Sequence, residues 1–110
     1  GRLDDLINVR GKKVDPREVE EVLSQLPGVI EAAVLAVNVP GRDDEIVRAV
    51  VACPPGRLTS EQVATWCPQH LATHKVPRSI VLVETMPRTS RGKLDRSALE
   101  TLASVPASHA

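Results

Sequence analysis

Proline–glycine breaks divide this sequence into short segments and so limit the elements that it can form. They stand at Pro27-Gly28, Pro40-Gly41 and Pro54-Pro55-Gly56. Proline lacks the backbone N–H that helix interiors and central strands use, and glycine accepts backbone angles that other residues avoid. We therefore expect a helix or strand to end at each break.

The first segment predicts a hairpin followed by a helix. Residues 6–14 place apolar side chains on both sides of Gly11, as in a small β-hairpin. Asp15 suits the N-cap of a helix, Pro16 its first position and Glu18 the capping-box position. The apolar residues of this helix recur at i, i+3, i+4 and i+7 and form one face: Val19, Val22, Leu23 and Leu26.

Two apolar runs rich in β-branched residues follow the first helix. Residues 29–39 indicate a buried strand and residues 46–53 a second one, with a short turn at Pro40-Gly41 between them. Neighbouring strands that are joined by a short turn pair antiparallel. We expect that pairing here.

The second half of the chain predicts a helix that a proline interrupts. Thr59 and Gln62 form another capping-box pattern. The packed face of this helix is predicted from four residues: Val63, Trp66, His70 and Leu71. Pro68 lies inside that pattern, where its missing N–H should kink or shorten the helix.

A third strand over residues 79–83 and a last helix that starts near Asp95 complete the chain. The inner face of the last helix is predicted to comprise Ala98, Leu99 and Leu102. This order of elements predicts a small α+β domain, with an N-terminal β-hairpin and a three-stranded sheet packed by about three helices. We expect residues 6–103 to form the domain, residues 1–5 a hinge or linker, and residues 104–110 a flexible tail.

Composition and charge exclude several classes of protein. The 110 residues suffice for one domain, with 14 Lys and Arg, 14 Asp and Glu, one Trp and no Tyr or Phe. The core must be aliphatic, and we expect no nucleic-acid binding, because a basic footprint and stacking aromatics are both lacking. No apolar run is long enough to span a bilayer.

Two cysteines, Cys53 and Cys67, are too few for a disulfide scaffold, which predicts a reduced, cytoplasmic protein.

Positive charge gathers near the end of this neutral chain. The ten residues from Pro87 to Arg96 read PRTSRGKLDR and include four basic side chains. These cations, the room that Gly92 leaves for a close approach, and a helix N-terminus just beyond would favour an anion. The loop is not a Walker A motif, since Pro87 stands where glycine is needed and Leu94 where Ser or Thr is needed. On these residues alone, an anion site and a solvated surface loop both remain open.

The cysteines and histidines raise the alternative of a metal site. Cys67, His70 and His74 are spaced at i, i+3 and i+7, and Cys53 would offer a fourth zinc ligand. Pro68 disturbs the helix that this spacing needs, and no Cys-x-x-Cys pair is present. We therefore interpret His70 as part of the packed face and Cys67 as a small buried side chain, and predict no metal. A Cys–His nucleophile pair would lack a group that orients the histidine.

Two longer motifs resemble those of a known family. GRLDDLINVRGKKVDPREVEEVL, residues 1–23, is similar to the hinge and hairpin motif that opens the C-terminal domain in the acyl-adenylate-forming superfamily. HKVPRSIVLVETMPRTSRGKLDR, residues 74–96, is similar to the segment that ends in that family's C-terminal lysine motif. The superfamily includes acyl- and aryl-CoA synthetases, nonribosomal peptide synthetase adenylation domains and firefly luciferase. The resemblance covers nearly the whole chain.

The resemblance implies a mobile C-terminal domain of an ATP-dependent ligase. In this family a small-molecule carboxylic acid and Mg-ATP first give an acyl-adenylate and pyrophosphate. The small domain then turns on the large one, and the acyl group passes to CoA or to the phosphopantetheine thiol of an acyl or peptidyl carrier protein. A large N-terminal adenylation domain, which these residues lack, would hold most of the ATP and Mg²⁺. The isolated domain is therefore expected to be inactive.

The resemblance also implies roles for individual residues. Lys93 matches the lysine that reaches the substrate carboxylate and the α-phosphate region during adenylation. Asp4 matches the hinge residue. Gly11 matches the hairpin glycine that lines the pantetheine channel, where a side chain would obstruct the thiol. Arg2 and Lys13 match basic positions that contact phosphate groups in some relatives.

The setting of the lysine carries a further implication. Gly92 supports the loop that presents Lys93, and Pro87, four residues and Gly92-Lys93 resemble the Pro-x4-Gly-Lys setting in which acetyltransferases silence some relatives. Acetylation would remove the charge that the chemistry needs.

Three assignments remain open within this resemblance. The run VRGKKVDPREVE, residues 9–20, is more similar to stand-alone acyl- or aryl-CoA ligases than to peptide synthetases, so we favour an acyl-CoA or acyl-carrier ligase. The alternative is the C-terminal subdomain of an amino-acid-activating peptide synthetase adenylation domain. A third, of a different class, is a non-catalytic module that docks a carrier protein.

Overall fold

A β-hairpin, a three-stranded sheet and three short helices make up the described chain, which covers residues 6–41 and 43–102 of a computed structural model. The elements are β1 (Ile7–Val9), β2 (Lys12–Val14), α1 (Pro16–Ser24), β3 (Glu31–Asn38), β4 (Glu45–Ala52), α2 (Ser60–Trp66), β5 (Ser79–Val83) and α3 (Arg96–Thr101). Two 3-10 turns, Cys67–Gln69 and Thr73–Lys75, lie between α2 and β5. The predicted α+β fold is confirmed. No helix in the described ranges is long and apolar enough to cross a membrane.

The N-terminal ends of α1 and α2 are capped in different ways. In α2 the predicted capping box forms, since Thr59 Oγ1 accepts from Gln62 N at 3.1 Å and Gln62 Oε1 accepts from Thr59 N at 2.8 Å. In α1 the Asp15 carboxylate accepts from Arg17 N at 3.0 Å. Glu18 does not complete a box there, because its carboxylate accepts instead from Lys75 Nζ at 3.0 Å.

The second helix is shorter than its apolar pattern indicates. It ends at Trp66, and the chain continues as a 3-10 turn with Pro68 near its start, as the missing N–H predicted. His70 is consequently exposed and stacks on the Trp66 ring at a centroid distance of 4.1 Å. The prediction that His70 lies on the packed face is therefore wrong, whereas Leu71 and Cys67 are buried as predicted.

The strands of the larger sheet are ordered β3-β4-β5. β3 and β4 pair antiparallel, as predicted, with Val34 opposite Ala49. β4 and β5 pair parallel, with Val50 opposite Val81, and the connection between them contains α2. β4 is thus the central strand, and its run of apolar residues fits burial on both sides.

The two faces of this sheet pack against different parts of the chain, because successive residues of a strand point to opposite faces. The hairpin face, as we call it, packs against β1, β2, α1 and α2 through Ile7, Val14, Val19, Leu23, Val34, Val47, Ala49, Val51, Val63, Cys67 and Leu71. The opposite face, the α3 face, is covered by α3 and the segment before it through Ala33, Leu35, Val50, Ala52, Val81, Met86 and Leu99. Both clusters lack aromatic side chains, as the composition predicts. Trp66 is half-buried and donates to Val22 O at 2.9 Å.

A carboxylate protects the edge of the sheet. Within the described residues β3 pairs only with β4, and the N–H of Val34 donates to Glu20 Oε2 at 2.9 Å. The partial burial of Glu20 raises the pKa of its carboxyl group, a shift that the hydrogen bond from Val34 opposes. Edge strands with free N–H groups are prone to pair with other chains, and this contact covers one such group.

Glu20→Gln should change how stability depends on pH. Because the pKa of Glu20 is raised in the folded state, the folded protein binds a proton more readily than the unfolded chain. The stabilisation that protonated Glu20 gives the folded state is fully present below the ordinary pKa of about 4.5. It is lost as the pH rises through the raised pKa of the folded state. Glutamine keeps an acceptor for Val34 and does not titrate. The wild type should therefore gain stability relative to Glu20→Gln as pH falls from 7 to 4.

Urea unfolding followed by the fluorescence of Trp66, at intervals over this pH range, measures that difference. Glu21→Gln is the matched control, because Glu21 lies on the same helix and is exposed. Stability curves for wild type and Glu20→Gln that stay parallel after correction with this control would contradict the prediction.

Candidate functional site

The segment from Pro87 to Asp95, here called the lysine loop, forms a small closed hairpin. Arg88 and Leu94 make an antiparallel bridge. Thr89 N donates to Lys93 O at 2.8 Å, and Asp95 N donates to Pro87 O at 3.0 Å. The loop is therefore a regular structure with paired sides, although residues 88–93 are exposed.

Gly92 and Lys93 lie on the exposed part of this loop. Gly92 has a φ of +84°, and its N–H donates to Thr89 O at 2.9 Å. A Cβ at Gly92 would meet nothing within 4 Å, so within the described chain the backbone angle, and not a close approach, requires a glycine here. The Lys93 side chain is exposed and makes no hydrogen bond or ion pair with residues 6–41 or 43–102. Its ammonium group can therefore meet a partner.

The basic side chains of the loop are not equivalent. Arg88 Nη2 donates to both carboxylate oxygens of Glu31 at 2.7 Å, and its Nη1 donates to Gly92 O at 3.0 Å. Its charge is thus neutralised, and the side chain ties the loop to the start of β3. Arg91 and Arg96 are exposed. Only part of the positive charge seen in the sequence is therefore directed outward.

The N-terminus of the final helix, one of the features that would favour an anion at this loop, is already capped. α3 has six residues, and the Asp95 carboxylate accepts from Ala98 N at 3.1 Å. A negatively charged side chain already occupies the N-terminus, so this end of the helix is not open to a further anion. Any attraction of this segment for an anion therefore has to come from the side chains of the loop itself.

The turn between β1 and β2 holds Gly11. Arg10 has a φ of +53° and Gly11 one of +85°, as in a two-residue turn with both central residues left-handed. Asn8 Oδ1 accepts from Gly11 N at 3.1 Å and closes the turn. Gly11 and Lys13 are both exposed, and a Cβ at Gly11 would meet nothing within 4 Å. Within the described residues there is thus room for a Cβ at Gly11, and the positive φ is what calls for glycine.

A cavity of about 530 Å³ lies beside this hairpin. Its walls come from the hairpin, the start of β4 and the chain between α2 and β5. The charged residues that line it are Arg10, Lys12, Arg78, Asp44 and Glu45. Because both signs of charge are present, the cavity does not by itself define an anion site.

The structure separates the two predicted functional segments. The hairpin of Gly11 packs on the hairpin face through Ile7 and Val14. The lysine loop adjoins the α3 face, where Leu94 packs against the cluster that contains Met86 and Leu99. The segments that carry Lys93 and Gly11 therefore pack against opposite faces of the β3-β4-β5 sheet. Two other predicted site residues, Arg2 and Asp4, lie outside the described residues, as do the predicted linker 1–5 and tail 104–110.

The cysteines and histidines do not form a site in the described chain. Burial raises the pKa of the Cys67 thiol to about 11, so this group is protonated at neutral pH. His70 is exposed and directed to Trp66. Among residues 6–41 and 43–102, no three His, Cys, Asp or Glu side chains are placed to hold a metal ion.

Arg48 and Glu31 help to hold the lysine loop and the helix that follows it, and the sequence analysis did not single out either residue. Arg48 is buried inside β4, and Glu31 binds Arg88 across 57 positions of sequence. A single arginine within the apolar run from Ile46 to Val51 was the available signal for the first of them. No local sequence pattern indicates the role of Glu31, because its partner Arg88 is distant in sequence.

The comparisons with known proteins agree with this fold and these motifs. A family model described as the AMP-binding enzyme C-terminal domain matches residues 18–93, and the chain belongs to this family. A 3,4-dihydroxybenzoate–[aryl-carrier protein] ligase from Bacillus anthracis is 44% identical over 100 residues, which are 91% of this chain and 23% of that protein. A plipastatin synthase component from Bacillus subtilis (strain 168) is 43% identical over 103 residues, which are 90% of this chain and 4% of that protein.

A solved structure supports the same assignment. The structure described as Mycobacterium tuberculosis fatty acyl CoA synthetase superposes with a TM-score of 0.78 at 32% identity, over 90% of this chain and 20% of that one. The chain thus spans less than a quarter of the length of each of these relatives. The resemblance read from the two sequence motifs is confirmed at the level of the family.

Proposed function

We propose that this chain is the mobile C-terminal domain of an ATP-dependent carboxylic acid ligase. The full-length enzyme would adenylate an acyl or aryl acid and then transfer the acyl group to the thiol of CoA or of a carrier-protein phosphopantetheine. The partner within the same polypeptide would be a large N-terminal adenylation domain. The support is membership of the AMP-binding C-terminal family, together with relatives whose names describe a carrier-protein ligase and a CoA synthetase.

One observation carries the proposal of a moving domain. The lysine loop, with its exposed Lys93, and the hairpin, with its exposed Gly11, pack against opposite faces of the β3-β4-β5 sheet. A fixed domain would present only one of them to an active site on its partner. A domain that turns between two steps would present each in its own step, which fits a two-step reaction.

Lys93 would act in the first step. As pyrophosphate leaves, negative charge develops on the oxygens around the α-phosphate, and a cation placed there stabilises the transition state. The ammonium group of Lys93 is exposed and unpaired in the described chain, and the paired sides of the loop and Gly92 hold its backbone. The same exposure would make Lys93 accessible to an acetyltransferase.

Gly11 would act in the second step. Gly11 has no side chain, and a Cβ there would meet nothing within 4 Å in the described chain, so a pantetheine arm would pass this position without obstruction. Lys13 is exposed on the adjacent strand, and we propose that it and Arg2 contact phosphate groups of a substrate. Asp4 is proposed as the hinge on the basis of its position in the motif.

ATP and Mg²⁺ would be held mainly by the large domain. The described residues offer no group of three His, Cys, Asp or Glu that could hold a metal, and so we assign no Mg²⁺ ligand to this chain. The isolated domain should accordingly be inactive. We also propose a cytoplasmic location, where the free, buried Cys53 and Cys67 would stay reduced.

A second candidate is favoured by one relative. The likeness to a plipastatin synthase component supports an amino-acid-activating adenylation domain of a nonribosomal peptide synthetase. In that case the acceptor would be a carrier domain, and the acids would be amino acids. A non-catalytic carrier-docking module is the third candidate.

The test is reconstitution of pyrophosphate release. This chain and the polypeptide that precedes it in the full-length protein are produced separately, mixed, and supplied with Mg-ATP and panels of fatty, aryl and amino acids. We expect little release from either part alone and strong release from the mixture with a fatty or aryl acid. Release with amino acids only would select the peptide synthetase. Carrier-protein binding without any release would select the docking module.

A further inference from the structure

The central strand of the sheet contains a buried arginine. Arg48 is 7% exposed and stands on the α3 face of β4, between the buried residues Val47 and Ala49. Its burial lowers the pKa of the guanidinium group. A buried charge without compensation is costly, so the partners of this side chain decide why it is tolerated.

Those partners are the carbonyl groups at the end of α3. Arg48 Nη1 donates to Glu100 O at 2.8 Å, to Leu102 O at 3.0 Å and to Leu99 O at 3.4 Å. Its Nε donates to Ser79 Oγ on β5 at 3.0 Å. The last carbonyls of a helix lack intrahelical partners and form its negative end, so a cation there supplies both hydrogen bonds and favourable charge.

The helix that Arg48 binds is too short to be stable alone. α3 has six residues, and isolated helices shorter than about 12–15 residues are only marginally stable in water. Leu99, 1% exposed, fixes its middle on the sheet, and Asp95 caps its first turn. Arg48 fixes its last turn. Without the guanidinium, three carbonyls on the α3 face would lose a donor.

The same helix continues directly from the lysine loop. Asp95 belongs to both, because its N–H donates to Pro87 O and closes the loop, while its carboxylate caps α3. Lys93 lies two residues before it. A shift of α3 on the sheet therefore moves the base of the loop and the position of the lysine.

We infer that Arg48 is a positioning residue for Lys93, which it serves by fixing the last turn of α3 to the central strand. This inference rests on the proposed function, because it matters for catalysis only if Lys93 takes part in adenylation. Arginine suits this place because its fork of N–H donors reaches several carbonyls and the Ser79 hydroxyl at once. A lysine ammonium would offer fewer donors in a less fixed geometry.

The functional test compares three variants of the full-length enzyme. Arg48→Met removes the donors and keeps an apolar side chain of similar length, and Arg48→Lys keeps the charge. Val63→Ala is the matched control, since it removes buried methyl groups from the hairpin face, away from α3. Each variant is assayed for pyrophosphate release during adenylation and for thioester formation from a preformed adenylate.

We expect Arg48→Met to lower the kcat of adenylation by about 10- to 100-fold, as small misplacements of a catalytic group do, with little change in the KM for ATP or acid. Thioester formation should be nearly unchanged, because the hairpin of Gly11 packs on the other face. Arg48→Lys should recover part of the lost adenylation. If Arg48→Met is too unstable to study, Arg48→Lys replaces it in the test, and a selective loss of adenylation in Arg48→Lys would support the inference.

Amide hydrogen exchange provides an independent measurement. Arg48→Met should speed exchange at the loop amides of Thr89, Gly92 and Asp95 more than Val63→Ala does. Equal loss of both half-reactions in Arg48→Met, or unchanged adenylation and unchanged loop exchange, would overturn the inference.

The results would differ if the proposed function, and not the inference about Arg48, were wrong. If Lys93→Ala leaves adenylation intact, the role of Lys93 is wrong, and the exchange data alone then decide whether Arg48 fixes the loop. If Lys93→Ala blocks adenylation and Arg48→Met does not change it, only the inference about Arg48 fails.

Discussion

Lys93→Ala in the full-length enzyme should reduce adenylate formation at least about 100-fold while sparing thioester formation from preformed adenylate. The magnitude is that typical for removing one preorganised group that stabilises transition-state charge. The expected selectivity follows from the fold, because Lys93 lies on the loop beside the α3 face and takes no part in the β1-β2 hairpin that holds Gly11. Because the side chain is exposed and unpaired within the described residues, its loss should cost little stability.

Two assays measure this result. Pyrophosphate release reports the first half-reaction, and thiol consumption with a synthetic acyl-adenylate reports the second. Arg91→Ala is the matched control, because it removes an exposed positive charge from the same loop. Equal loss of both half-reactions in Lys93→Ala, or equal effects of the two substitutions on adenylation, would refute the assignment.

Gly11→Leu is expected to give the opposite result, with thioester formation reduced at least about 10-fold and adenylation retained. A Cβ at Gly11 would meet nothing within 4 Å in the described chain, so a leucine there would extend outward from the turn into the proposed path of the pantetheine arm. Misplacing a reacting group by about 1 Å can cost 100-fold, so an obstructed thiol should be slow to react. The effect should grow from Gly11→Ala to Gly11→Leu as the side chain lengthens.

Backbone strain has to be separated from obstruction. Gly11 has a φ of +85°, and a residue with a Cβ in that conformation costs about 1–2 kcal/mol. Gly56→Leu is the control, since Gly56 has a φ of +74°, is also exposed, and a Cβ there would meet nothing within 4 Å in the described chain. If both leucine variants slow thioester formation equally, strain and not obstruction is the cause. The role of Gly11 would then be abandoned.

The elements of this fold were predictable where short-range chemistry determines them. Thr59 and Gln62 cap α2 as their spacing indicated, and the turn at Gly11 lies where a positive φ was expected. The error at His70 arose because an apolar period was extended past Pro68, although the proline redirects the chain there into a 3-10 turn. Glu18 fitted a capping box by spacing, but Lys75, 57 positions away, competes for its carboxylate.

The candidate site was predictable in a different way. Residue chemistry alone left the basic loop undecided between an anion site and a solvated surface, and only the family resemblance singled out Lys93. No sequence pattern indicates that Arg88 is neutralised by Glu31 or that Asp95 fills the helix N-terminus. Those facts depend on tertiary contacts, as does the link from Arg48 to carbonyls more than 50 residues away.

The placement of the hairpin and the lysine loop on opposite faces of one sheet has a consequence for timing. A partner surface that engages one of them leaves the other on the far side of the β3-β4-β5 sheet. Under the proposed function, the two half-reactions would exclude each other in time, with no separate device needed to order them. An incoming thiol would find its channel only after pyrophosphate had left and the domain had turned. Unproductive encounters between the thiol and bound ATP would thereby be prevented by geometry alone.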